Sequence, residues 1–193
     1  METALSPILR LKEPSYQGKP YHIIANKLFS KKMAIILKPT EKRFNVKNDL
    51  SELLSVKGKD RKIDRIDPNF IDWFGNVTIN GRKEETVSFL YEFLKDLSHK
   101  EIISISKEYR VYKKFNIFDA VLLIQKIIDI NEIWIPNATR IAILLEEQHN
   151  NLECKLEVFC VTGGKIRVRV YETNPAIRYS VGGFIVFGKR DEI

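Results

Sequence analysis

The stretch Leu152-Glu-Cys-Lys-Leu-Glu-Val-Phe-Cys-Val161, followed by Thr-Gly-Gly and then by Lys165-Ile-Arg-Val-Arg-Val-Tyr171, decides the fold. Apolar residues hold the even positions of both runs, and charged or aromatic residues hold most of the odd positions. Such an alternation indicates β-strands with one buried face. Residues opposite each other on neighbouring strands share a face, so the loop needs an odd number of residues, which Thr-Gly-Gly supplies. This register places Glu157 directly opposite Arg169.

Two further strands are expected to complete this sheet. The apolar positions of residues 141–145 alternate in the same way, and a turn at 148–151 would pair them with residues 152–161. Residues 181–188 form another apolar run after the turn residues Asn174-Pro175. The C-terminal third is therefore predicted to be a four-stranded antiparallel meander.

The middle of the chain is predicted to be helical. Residues 84–97 place Val87, Leu90 and Leu94 on one stripe at helical spacing, and acidic residues occupy the expected first turn. A second helix is predicted to begin at Asn116 and to continue to Ile128. Between them, residues 102–111 fit either a strand or a broken helix.

The first third is predicted to contain a β-hairpin and a short helix. Residues 21–28 and 33–37 are apolar runs, and Lys31 and Lys32 would lie at the turn between them. Asp49 is the predicted N-cap of the short helix.

The fold class predicted from these elements is a two-layer α+β domain, in which the meander packs on the two central helices. A single domain would cover residues 1–193. Its parts would be a basic hairpin and short helix (1–65), a helical middle (66–136) and a β-meander (137–193).

Positive charge is concentrated in the first third of the chain. The net charge is +7, yet residues 1–65 hold 15 of the 32 Lys and Arg and only 7 of the 25 acids, a net charge of +8. Aromatic residues lie among these charges, a mixture suited to neutralising phosphates and stacking bases. The candidate nucleic-acid-binding residues in this third are Lys27, Lys31, Lys32, Lys38, Lys42, Arg43 and Lys47.

A second basic strip is expected on the odd-numbered face of the meander. The register brings Lys155 and Phe159 beside Arg167, Arg169 and Tyr171 on the outer surface of the sheet. The last three residues are further candidates for nucleic-acid binding.

One local pattern suggests catalysis. Glu153-Cys-Lys155 matches the acid-x-lysine pair that some Mg²⁺-dependent nucleases carry on a strand, and the expected register places Glu146 opposite Glu153. Two carboxylates could then hold one cation while the lysine positions a water. The competing interpretation, which we favour, is that Glu153, Lys155 and Glu157 form the solvated face of an amphipathic strand.

Other classes of protein lack support in the sequence. No apolar run approaches the ~20 residues of a membrane span, and residues 1–7 lack the apolar region of a secretory signal. Cys154 and Cys160 lie too far apart along one strand to pair, so we expect buried thiols in a reducing cytoplasm. No phosphate loop, nucleophile elbow or zinc-ligand spacing occurs, so neither cofactor nor metal is predicted.

The leading hypothesis is a cytoplasmic, non-enzymatic binding protein whose basic N-terminal third docks on an anionic partner, most simply nucleic acid. The alternative is a protein-interaction module, such as an adaptor or an immunity-type inhibitor that covers an acidic protein surface. The third hypothesis is the Mg²⁺-dependent nuclease. The sequence sets no oligomeric state.

Overall fold

The computed structural model describes residues 28–54, 62–108, 113–129, 138–161 and 165–188. Within them the helices are α1 (Val46–Leu53), α2 (Asn69–Phe74), α3 (His99–Glu108) and α4 (Ile117–Asp129). The strands are β1 (Phe29–Leu37), β2 (Thr40–Asn45), β3 (Lys62–Ile66), β4 (Thr78–Arg82), β5 (Thr86–Phe93), β6 (Leu97–Ser98), β7 (Arg140–His149), β8 (Leu152–Val161), β9 (Lys165–Glu172), β10 (Arg178–Tyr179) and β11 (Phe184–Gly188).

Seven of these strands form one mixed sheet in the order β1–β5–β11–β7–β8–β9–β3. Strand β11 runs parallel to β7 and β3 runs parallel to β9, whereas the other neighbours are antiparallel. Strands from all three predicted segments of the chain therefore lie in the same sheet. The predicted four-stranded antiparallel meander on two helices is wrong.

Strand β11 explains most of this correction. Every residue of Phe184–Gly188 is buried, because β11 lies between β5 and β7 and both of its faces are covered. A short apolar run without alternation is typical of such a central strand, whereas the last strand of a meander has a free edge.

The predicted helix over residues 84–97 is also wrong. This segment contains β5, in which Thr86, Ser88 and Leu90 are buried at alternate positions. The other face of β5 carries Val87, Phe89 and other residues that favour strands because they are β-branched or aromatic. A strand with apolar residues on both faces also places apolar residues at helical spacing. The spacing of the apolar residues alone therefore predicted a helix where the chain forms a strand.

The predicted turn of the N-terminal hairpin is wrong, because Lys31 and Lys32 lie within a strand. Residues 29–37 form β1 at the sheet edge, and a register shift after Lys31 marks a bulge at Lys32. Phe29 therefore faces one side of the sheet, while Ile35 and Leu37 face the other. Residues 21–27 lie outside the described residues.

The two faces of the sheet support separate apolar cores. On face 1, the helices α1, α2 and α4 pack against residues such as Ile141 and Leu156. On face 2, α3 and the two-stranded sheet of β6 and β10 pack against Ala142 and Leu144. Layers on both sides of the sheet take the place of the predicted two-layer arrangement.

The helix predicted from Asn116 is confirmed as α4, and the side chain of Asn116 accepts a 2.8 Å hydrogen bond from the Asp119 amide. For residues 102–111 the sequence predicted either a strand or a broken helix. Residues 99–108 form the helix α3, and residues 109–112 lie outside the described residues.

No helix in the described part of the chain has the length and apolar character needed to cross a membrane.

The predicted N-cap of α1 is wrong by four residues. Asn45, not Asp49, is the N-cap, and its side chain accepts a hydrogen bond from the Asn48 amide at 3.1 Å. The carboxylate of Asp49 in turn accepts a 2.7 Å hydrogen bond from the Asn45 amide. The two side chains thus satisfy backbone donors at the start of α1 reciprocally.

This cap gives a stability prediction. Asn45→Ala removes the acceptor for the Asn48 amide together with hydrogen bonds to Val77 and Thr78, so we expect a loss of about 1–2 kcal/mol in the free energy of unfolding. Urea unfolding followed by circular dichroism measures it. Asn48→Ala is the matched control, because that side chain is exposed, and it should change stability by only a few tenths of a kcal/mol. Equal losses in both variants would contradict this account of the cap.

Candidate nucleic-acid interface

A row of charged and aromatic side chains crosses four strands on face 2. Arg140 of β7 lies opposite Phe159 of β8, Phe159 lies opposite Arg167 of β9, and Arg167 lies opposite Arg65 of β3. Opposed residues of neighbouring strands share a face, so these four side chains form one row, about 15 Å across at ~4.8 Å per strand. We call this row the arginine row.

The alternation of the strands produces the arginine row. Ile166 and Val168 of β9 are buried on face 1, which leaves the intervening Arg167 on face 2. In β3 both Ile63 and Ile66 pack on face 1 although they are three residues apart, which the register shift between Ile63 and Arg65 allows. Arg65 precedes Ile66 in the strand and therefore lies on face 2. The confirmed pairing of Glu157 with Arg169 places Arg169 next to the row.

Beside the arginine row is a cleft of ≈ 250 Å³. Its lining residues are Arg65, Asp67, Arg167, Val168, Arg169 and Tyr171. Three guanidinium groups from two neighbouring strands therefore border one small opening at the edge of the sheet.

The arginines that border the cleft are weakly paired. In the described part of the chain, no carboxylate lies within 4.0 Å of Arg65 or Arg169. Arg169 donates a 3.2 Å hydrogen bond to the Tyr171 hydroxyl, which raises the pKa of Arg169. Arg167 Nε lies 3.7 Å from an Asp64 carboxylate oxygen and makes no hydrogen bond there. Arg167 Nε is itself buried, but in the described part of the chain no carboxylate occupies the guanidinium groups of Arg65 and Arg169, which are suited to binding an anionic ligand.

Arg140 forms the other end of the arginine row. Its guanidinium lies 5.3 Å from the centre of the Phe159 ring, and a terminal nitrogen is 3.9 Å from a Glu157 carboxylate oxygen. The Arg140 side chain is 65% exposed, so one side of the guanidinium faces solvent.

The prediction that Lys155 and Glu157 lie on a solvated face is wrong, because each residue is only 6% exposed. Lys155 Nζ lies 3.4 Å from a Glu157 oxygen and 4.7 Å from the centre of the Tyr179 ring, on the short strand β10 that covers this part of face 2. Burial lowers the pKa of Lys155, and the nearby Glu157 partly opposes that shift. The pair marks the boundary between the covered and the open part of face 2.

The geometric basis of the nuclease hypothesis is also wrong. Strands β7 and β8 join through Asn150 and Asn151, which both have positive φ as in a type I′ turn, and the register shifts between Leu144 and Gln148. Glu153 consequently lies opposite Gln148, not Glu146. No group of three potential metal ligands occurs among the described residues.

Glu153 has a different environment from the one predicted. One carboxylate oxygen forms an ion pair with Lys114, and the other lies 3.1 Å from His99 Nε2. The other ring nitrogen of His99 lies 3.1 Å from the Tyr179 hydroxyl. Partial burial would raise the pKa of Glu153, but the hydrogen bonds from Lys114 and His99 outweigh it and lower that pKa. This network attaches α3 and β10 to β8.

A pH prediction follows from Glu153. Its pKa is lowered in the folded protein, so its contribution to stability is present above the ordinary value of 4.5 and is lost as the pH falls through the lowered value. Glu153→Gln should therefore lower the free energy of unfolding at pH 7 by on the order of 1 kcal/mol, because the carboxylate is partly exposed. The difference from wild type should shrink towards pH 3 in thermal unfolding series.

Glu146→Gln is the matched control for this series, because it removes the same charge from an exposed position on the neighbouring strand. We expect nearly no change at either pH. A difference between wild type and Glu153→Gln that stays constant from pH 7 to pH 3 would contradict the role assigned to the carboxylate.

The basic residues predicted in the first third lie elsewhere. Lys31 Nζ is 4.0 Å from the centre of the Phe89 ring, and Lys32 forms a 2.6 Å ion pair with Glu92, both at the β1 edge of the sheet. Strand β1 is five strands from β9, about 24 Å at ~4.8 Å per strand. The two basic regions therefore do not form one groove.

The remaining candidates of the first third are exposed. Lys42 and Arg43 lie on β2 and Lys47 lies on α1, over the helices of face 1, and Lys38 lies between β1 and β2. Phe44, the aromatic residue beside Arg43, is buried and stacks on Phe118 of α4 with ring centres 5.0 Å apart. It is therefore not available to stack on a base. Lys27 lies outside the described residues.

Sequence reasoning missed two residues of the arginine row. Arg140 is separated from the face 2 residues Ala142 and Leu144 by an even number of positions along β7, so it lies on the same face. The alternation of this strand could therefore have identified Arg140 from the sequence. The sequence contained no comparable indication for Arg65, because its position on face 2 depends on the irregular pairing of β3 with β9.

Comparisons with models of protein families, with curated proteins and with solved structures gave no match to this chain.

Proposed function

We propose that the protein binds nucleic acid through phosphate contacts to the arginines of face 2. The observation that carries the proposal is the cleft between β3 and β9, which Arg65, Arg167 and Arg169 border together with Tyr171. The basic candidates at residues 31–47 take no part in this cleft, whereas Arg65, which also belongs to the first third of the chain, lines it.

The chemistry of the cleft supports an anionic ligand with several oxygen acceptors. A guanidinium group donates hydrogen bonds in a fixed fork that matches phosphate geometry, and such charge-assisted bonds are stronger than neutral ones. Arg65 and Arg169 have no carboxylate within 4.0 Å in the described part of the chain, so a phosphate would not have to displace an ion pair from them.

The local charge balance supports the same ligand. Among the described residues that line the cleft or form ion pairs around the arginine row, cationic side chains outnumber carboxylates two to one. The cations are Arg65, Arg140, Lys155, Lys165, Arg167 and Arg169, and the carboxylates are Asp64, Asp67 and Glu157. A surface of this kind attracts polyanions and accelerates their encounter with the protein.

The proposal predicts a change in the salt dependence of binding. Two phosphate contacts are removed in the double variant Arg65→Gln, Arg169→Gln, so the slope of log K against log salt for a single-stranded oligonucleotide should become shallower by about 1.4. Fluorescence anisotropy titrations over a range of salt concentrations measure this slope. Neither arginine has an ion-pair partner within 4.0 Å in the described residues, so the variant should keep its melting temperature.

The matched control is the double variant Lys42→Gln, Arg43→Gln, which changes the net charge equally at exposed positions of β2. It should leave the slope nearly unchanged. A larger effect of this control than of the arginine variant would locate binding at β2, within the basic stretch of residues 31–47. If wild-type protein binds neither DNA nor RNA at low salt, the proposal is wrong and an acidic protein surface becomes the favoured partner.

A further inference from the structure

We infer that the nucleic acid is bound as a single strand, with one base stacked on Phe159 and Arg140 while phosphates on either side contact the flanking arginines. This inference rests on the proposed function and names the form of nucleic acid that the same site accepts.

Phe159 has an unusual position in the arginine row. It is half-buried on face 2, with Arg140 on one neighbouring strand and Arg167 on the other. The covered part of face 2 ends two residues earlier on the same strand, at the buried Glu157. Phe159 is therefore the aromatic residue of β8 that lies at the open end of this face, between two cationic side chains.

The contact between Arg140 and Phe159 forms a platform for a flat ligand. The guanidinium lies 5.3 Å from the centre of the ring, and the Arg140 side chain is 65% exposed. A guanidinium plane and an aromatic ring both stack on nucleobases, and every base has the π-face that such a contact requires. A base can therefore extend this stack without a specific hydrogen-bond pattern.

A duplex cannot use this platform. Its bases stack on one another, so their faces become accessible to an aromatic side chain only after unpairing, which costs a few kcal/mol. The row of side chains also lies on a sheet surface, and the described part of face 2 carries no helix over the arginine row that could enter a major groove. An unpaired strand supplies both the exposed base and the flexible backbone.

The opposite edge of the sheet contains a close counterpart. Phe89 is half-buried, and Lys31 lies over its ring at 4.0 Å, but β5 and β1 are remote from the arginine row. Phe89 is therefore a control for the loss of an aromatic ring beneath a cation outside the proposed site.

The experiment measures binding of wild type, Phe159→Leu and Phe89→Leu to three probes of equal charge at fixed salt. The probes are a mixed-sequence single strand, tested as DNA and as RNA, a duplex, and inorganic polyphosphate, which has phosphates but no bases. Phe159→Leu should weaken single-strand binding by about 5- to 100-fold, and it should leave polyphosphate binding unchanged. Phe89→Leu should have no effect on any probe.

A second substitution keeps the inference testable if Phe159→Leu lowers stability. Phe159→Trp retains a ring that stacks on bases, so it should bind the single strand as tightly as wild type or more tightly. Equal binding of single strand and duplex by wild type, or unchanged single-strand binding in folded Phe159→Leu, overturns the inference while the arginine contacts still stand. If wild type binds none of the nucleic acids, both the inference and the proposed function are wrong.

Discussion

The structure depends on the burial of β11 on both of its faces. This strand pairs antiparallel with β5 and parallel with β7, and it thereby joins β1 and β5 to the sheet formed by β7, β8, β9 and β3. Its side chains alternate between the two apolar cores, with Phe184 and Val186 on face 1 and Ile185 and Phe187 on face 2. Each core therefore needs a covering layer, and the helices and the short strands β6 and β10 supply those layers.

The open part of face 2 follows from how far its covering layer extends. Strand β10 covers Lys155 and Glu157, and its Tyr179 is held through His99 and Glu153. Beyond this point β9 and β3 carry arginines with few carboxylate partners, so the face changes from an apolar core to a cationic surface within two strands. A binding site at the margin of a covered sheet gains rigid strands beneath it and solvent access above it.

Some of this could be predicted from the sequence. Strict alternation in β8 and β9 fixed their pairing, and the placement of Arg167, Arg169 and Tyr171 on one face follows from it. The predictions for residues 84–97 and 181–188 failed because these segments carry apolar residues on both faces. In such segments helical and strand periods are both satisfied, and a central strand cannot be told from an edge strand.

By itself, the sequence determined the local features of this protein: the α4 helix with its Asn116 cap, the β8–β9 hairpin register and the presence of a basic face on β9. Only the tertiary structure decided which basic residues lie together. It separated the lysines of the first third from the arginines of β9, and it brought Arg140 beside Phe159 and Arg65 beside Arg167. The physical reason is that alternation fixes the face on which a side chain lies, whereas its neighbours on that face depend on strand order. Strand order is set by the burial of apolar residues that are distant in the chain. The distribution of charge along the chain does not determine that burial.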